Sequence, residues 1–106
     1  EVYTMSRRLE LHEILVSILG NSNVYFQPPA SVKMSYPCVV YNIGNGEAKH
    51  ADNKLYGYVD RYDVTFIFKK PNVDIIEQVL TNLPMCRVSR VYVADNLNHY
   101  AFNLYF

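Results

Sequence analysis

Residues 55–69 read LYGYVDRYDVTFIFK. Tyr56, Tyr58, Tyr62, Val64, Phe66 and Phe68 occupy one parity, and Val59, Arg61, Asp63, Thr65 and Ile67 occupy the other. Side chains alternate across a strand, so this spacing predicts a long strand with one aromatic face on the core. The other face turns outward and carries charge.

Upstream, CVVYNI at 38–43 is rich in β-branched residues and predicts a strand. It is joined to the long strand by GNGEAKHADN at 44–53, too polar for a core and too long for a tight hairpin. Downstream, Lys70-Pro71-Asn72 breaks the strand, and Asn72 is expected to cap a helix running to about Asn82. Val73, Ile76, Leu80 and Leu83 hold helical spacing there, Asp74 suits the first turn, and Pro84 stops it. CRVSRVYVA at 86–94 predicts a further strand, DNLN a turn, and HYAFNLYF at 99–106 a last strand. In that strand Tyr100, Phe102, Leu104 and Phe106 form the core face, and His99, Ala101, Asn103 and Tyr105 the opposite one.

At the amino end, Leu11, Ile14, Leu15, Ile18 and Leu19 make one apolar stripe of a helix from about Ser6 to Leu19. Ser6 is expected to cap it and Gly20 to end it in the left-handed conformation. The three prolines between Asn21 and Pro37 deny that stretch a helix, which predicts an extended connector. The order is α-β-β-α-β-β. It predicts an α+β domain over residues 1–106, with a four-stranded, mainly antiparallel sheet and two helices packed on one face.

The 106 residues suffice for one core without staples. Lys plus Arg and Asp plus Glu are 10 each, so net charge gives no footprint for wrapping nucleic acid. Arg87, Ser89, Val91 and Val93 share one parity, with Val88, Arg90 and Tyr92 on the other, so strict alternation scatters these cations. Cys38 and Cys86 are the only cysteines and sit among apolar residues, as buried thiols do. No apolar run is long enough to span a bilayer.

Chemistry is sparse. His12, His50 and His99 have no partner at metal-ligand spacing, so no metal site and no cofactor are expected. GNG at 44–46 lacks the Lys-Ser/Thr of a phosphate loop, and no serine lies in a nucleophile elbow. No catalytic constellation emerges, and an enzyme is not expected. Asp63 and Arg61 share the outward face and read as a solvated or partner-facing cluster. There remains more apolar and aromatic surface than one sheet-on-helix layer needs, including ten tyrosines. Such surplus marks protein interfaces. Candidate contact residues are Asn45, Glu47, Lys49, His50 and Asp52 of the loop, with Arg61, Asp63 and Tyr105 on the outward face. Ala-Asp-Asn recurs at 51–53 and 94–96, which reads as two turns of similar chemistry.

RRLELHEILVSILG (7–20), NVYFQPPASVKMSYPCVVYNI (23–43), RYDVTFIF (61–68), LPMC (83–86) and YVADNLNHYAFNLYF (92–106) together resemble a family of small tail-completion proteins of long-tailed DNA bacteriophages. These are known variously as tail terminators, tail-completion proteins or head–tail joining proteins. The resemblance spans Arg7 to Phe106, and VYFQPP, YPC and ADNLNH are its specific blocks. It implies a virion protein: a homo-oligomeric ring, usually a hexamer, that ends growth of the tail tube and meets the head connector. Its partners would be the tail tube protein and neck proteins, with genomic DNA passing through the lumen without sequence-specific binding, and no membrane. It carries over no catalytic residues. Lys69-Lys70-Pro71 is more basic than the family pattern. The alternatives are a head-closure or connector-adaptor neck protein, and a small nucleic-acid-binding module.

Overall fold

Arg61–Phe68 is a strand (β3), and its burial alternates as expected as far as Phe66, but Ile67 on the outward parity is buried as well, 6% exposed. Tyr62, Val64 and Phe66 are fully buried and Phe68 nearly so. The computed structural model describes residues 2–44, 61–83 and 85–106, with side chains from Arg8 onward. The predicted start of the long strand at 55–60, and the loop 45–54, lie outside the described residues.

In chain order the elements are α1 (Val2–Leu19), β1 (Val24–Phe26), β2 (Cys38–Ile43), β3, α2 (Asp74–Asn82), β4 (Cys86–Ala94) and β5 (Leu97–Tyr105). The fold is α+β, with two helices and a mixed sheet of order β1-β2-β3-β5-β4. Pairings β2–β3, β3–β5 and β5–β4 are antiparallel, whereas β1 lies parallel to β2. The expected four strands are therefore five. The connector is extended as expected, and within it Val24-Tyr25-Phe26 lines up with Val39-Val40-Tyr41 as a short edge strand that the sequence reading does not count. Three residues carry too little pattern to announce a strand; the open side of β2 recruits them.

Both helices cover the same sheet face. Leu11 and Leu15 of α1 join Ile75 and Val79 of α2 in one cluster with Val39, Tyr41, Val64, Phe66, Phe102 and Leu104. Gly20 leaves α1 at φ +88° and donates its N–H to the Val16 carbonyl at 2.8 Å, the expected left-handed exit. The start differs from expectation. The helix begins at Val2, so Ser6 lies inside it rather than capping it.

In α2 the cap position is Val73, with no side-chain hydrogen bond, so Asn72 is not the cap. Its backbone N–H instead donates to the Tyr100 hydroxyl at 2.9 Å. Of the expected stripe of α2, Leu83 is buried and Ile76 packs partly buried against the core, but Val73 is 67% and Leu80 is 41% exposed, and Ile75 and Val79 are buried instead. Both stripes have helical spacing, and packing on β4 and α1 selects between them.

The hairpin β4–β5 turns through Asp95 and Asn96, both at positive φ (55° and 61°). That is the two-residue turn whose twist suits a hairpin, and Asp and Asn tolerate it. β5 places Tyr100, Phe102 and Leu104 in the core, as predicted. It starts two residues earlier than expected, at Leu97, and Phe106 lies just beyond its end, half-buried against the core.

Candidate functional site

The sheet face away from the helices is assembled by the strand register. Arg61 pairs with Tyr105. Asn42, Asp63, Asn103 and Arg87 form the next row, and Val40, Thr65, Ala101 and Arg90 the row after it. Cys38, Ile67, His99 and Tyr92 complete the face. Directly opposed residues of a ladder project to the same side, so each row is a set of neighbours.

One bulge decides what this face carries. The β4–β5 register shifts between Val88 and Arg90, leaving Ser89 without a partner. An extra residue inverts the parity beyond it. Arg87, Arg90 and Tyr92 therefore share the outward face, and Val88, Val91 and Val93 share the helix side. Strict alternation had grouped Arg87 with Val91 and Val93 and set Arg90 apart; the bulge overturns that grouping. The signal was present in CRVSRVYVA, where the valines fall at 88, 91 and 93, with a gap of three before a gap of two.

On the outward face the Arg90 guanidinium lies 4.3 Å from the centre of the Tyr92 ring. Tyr92 stacks on His99 with centroids 4.6 Å apart and planes 10° from parallel. The His99 Nδ1–H donates to the Leu97 carbonyl at 3.0 Å, which orients the ring. Contact with the Tyr92 ring holds the Arg90 cation in place without a carboxylate.

Arg61 and Asp63 approach at 3.4 Å. The Asp63 Oδ1 is shielded from solvent yet makes no hydrogen bond, so the pair is a Coulombic contact without bonding geometry. Gly44 packs against it. A Cβ there would meet the Asp63 Oδ2 at 3.1 Å and the Arg61 Cγ at 3.3 Å, and the Gly44 N–H donates to the Arg61 carbonyl at 2.7 Å. Beside this pair, an open cleft of about 540 Å³ is lined by Arg61, Met85, Cys86, Arg87, Asn103 and Tyr105.

Of the predicted contact residues, Arg61, Asp63 and Tyr105 come together at one end of this face. Asn45, Glu47, Lys49, His50 and Asp52 lie outside the described residues. The outward placing of Asn103 beside Tyr105 is as the alternation predicts, whereas sequence reasoning missed Arg87 and Arg90 as members of the same surface. Lys69 and Lys70 sit at the other end of β3, beside a separate cleft of about 350 Å³ that includes Pro37 and Pro71.

The remaining chemistry is structural. Cys38 is fully buried on the outward face beside Ile67, and burial pushes its thiol up to about 11. Cys86 is half-buried and pushed up to about 11 for the same reason. Neither thiol is poised as a thiolate. Among the described residues no group of three or more His, Cys, Asp or Glu side chains is placed to hold a metal. No described helix is long and apolar enough to cross a membrane.

A second surface lies along β4, an edge strand among the described residues. Its helix-side valines are incompletely covered: Val88 is 37%, Val91 55% and Val93 67% exposed. No known family model, curated protein or solved structure significantly matches this chain.

Proposed function

We propose that this chain is a structural ring protein at the head-proximal end of a phage tail, where it ends growth of the tail tube and offers the surface for head–tail joining. The sequence blocks from Arg7 to Phe106 favour that class. The observation that carries the assembly component is the β4 edge. It runs for nine residues, and Val88, Val91 and Val93 stand exposed along one side of it. A long edge strand has unpaired backbone donors and acceptors, and exposed valines add an apolar strip. Soluble monomers blunt or cover such edges; a subunit of a closed ring buries them against the next copy. A ring contact of this kind joins two different surfaces, so β4 would meet another part of its neighbour.

Sedimentation of the free protein over a range of concentrations, with and without tail tubes, tests the reading. Association with itself or capping of tubes is the expected outcome. A strict monomer that leaves tube growth unaffected would refute it. Loss of the protein during phage assembly should give over-long or unjoined tails. Leaking heads beside normal tails would instead identify a head-closure protein.

A further inference from the structure

We infer that the outward face of β3, β5 and β4 contacts the phosphate backbone of duplex DNA, through Arg61, Arg87 and Arg90. The inference goes beyond the ring reading, which requires no DNA contact; in a ring traversed by the genome it would turn this face to the lumen.

The bulge at Ser89 is the first support. It brings Arg87 and Arg90 to the same side of the sheet, on a strand two places from Arg61. Strands lie about 4.8 Å apart, so Arg61 is roughly 10 Å across the face from β4. The second support is the charge balance. Among the described residues along the paired rows of this face, the only carboxylate is Asp63, which sits against Arg61. Arg87 has no ion-pair partner among the described residues, and Arg90 is held by Tyr92. Asn103 and the Tyr105 hydroxyl add neutral donors beside the cleft.

The third support separates backbone contact from base reading. The Tyr92 ring already carries two contacts, the Arg90 guanidinium and the stacked His99 ring. Those contacts compete with a stacked base, while the exposed Arg90 can still offer its planar fork of N–H donors to a phosphate. Duplex DNA offers a charge about every 1.7 Å of its axis, so a cluster of cations finds phosphates without a fixed register. An acidic peptide would have to match their spacing.

The test is fluorescence anisotropy of a labelled duplex of about 20 base pairs, titrated with the whole chain between roughly 50 and 200 mM salt. Two to three phosphate contacts predict a log–log salt slope of about −2 to −3, independent of base sequence. Arg87→Ala and Arg90→Ala should each reduce that slope by about 1. The double variant Arg87→Glu, Arg90→Glu should lose binding while keeping its circular dichroism, because both side chains are exposed. The proposal is overturned if the wild-type chain fails to bind at low salt, or if the double variant binds as well. It is equally overturned if Lys69→Glu, Lys70→Glu abolishes binding instead, or if poly-glutamate is captured more tightly than DNA. Sedimentation of the same double variant reads self-association separately, so a failed DNA contact and a failed ring are distinct results.

Discussion

Tyr41 shows how one hydroxyl ties a helix to the sheet. Its ring is fully buried, between Phe26 at 5.0 Å and Tyr62 at 6.1 Å. Its oxygen accepts from the Arg8 Nη1 at 3.2 Å, and the hydroxyl shares a 2.7 Å hydrogen bond with the His12 Nδ1. Burial, and then the Arg8 charge, hold His12 below the usual imidazole value, against a smaller opposing pull from Glu13. The unfolded chain therefore binds a proton more readily than the native one. The contribution is fully present above the unfolded value of about 6.5 and is lost as pH falls through the lower native value. Urea melts of wild type and His12→Gln from about pH 7.5 down to 5 should converge as the wild type loses its advantage. Parallel curves would show that His12 is not the group involved. Phe66 illustrates the apolar counterpart. It is fully buried, and it packs edge-on to Phe102 at 5.9 Å and flat to Phe68. Phe66→Ala should cost about 3–5 kcal/mol in the same melts, enough to consume much of a small domain's stability.

At the scale of elements, the bulge in β4 makes an unusual prediction. Removing a residue from the middle of a strand normally throws everything beyond it to the wrong face. Deleting Val64 from β3 would turn Phe66 and Phe68 away from the core, and the chain should not fold. Deleting Ser89 removes the one residue without a partner, and the pairs Val88–Phe102 and Arg90–Ala101 then follow in regular order. That deletion should fold, with a change in stability within about 1–2 kcal/mol by denaturant melting. A deletion of Ser89 as damaging as that of Val64 would show that the bulge geometry itself is required. α2 carries a related lesson. Val73 and Leu80 keep helical spacing with Ile76 and Leu83, yet Ile75 and Val79 take the core, because docking on the sheet chooses among nearby apolar faces.

For the whole molecule, the two faces of the sheet differ in chemistry. The helix side holds the core, and the outward side holds arginines, Tyr92 and His99 above a floor of Val40, Thr65 and Ala101. Self-association is expected to use the β4 edge. Val91→Lys places a charge on the exposed strip without emptying the core, since Val91 is 55% exposed. It should leave the melting curve within about 0.5 kcal/mol of wild type while shifting sedimentation towards the monomer. Unchanged association would move the subunit contact elsewhere.

The alternation in RYDVTFIF and HYAFNLYF, the apolar stripe of α1, the exit at Gly20 and the extent of β4 were all legible in the chain itself. They rest on local periodicity and on backbone preferences that act within a few residues. β1 was not legible, because three residues become a strand only when β2 offers them a free edge. The true face of α2 was not, because two apolar stripes met the same spacing and the sheet selected between them. The grouping of Arg87 with Arg90 was decided last of all, by the register of β4 on β5. A single unpaired serine set which side of the sheet each arginine faces, and only the pairing of strands could place it.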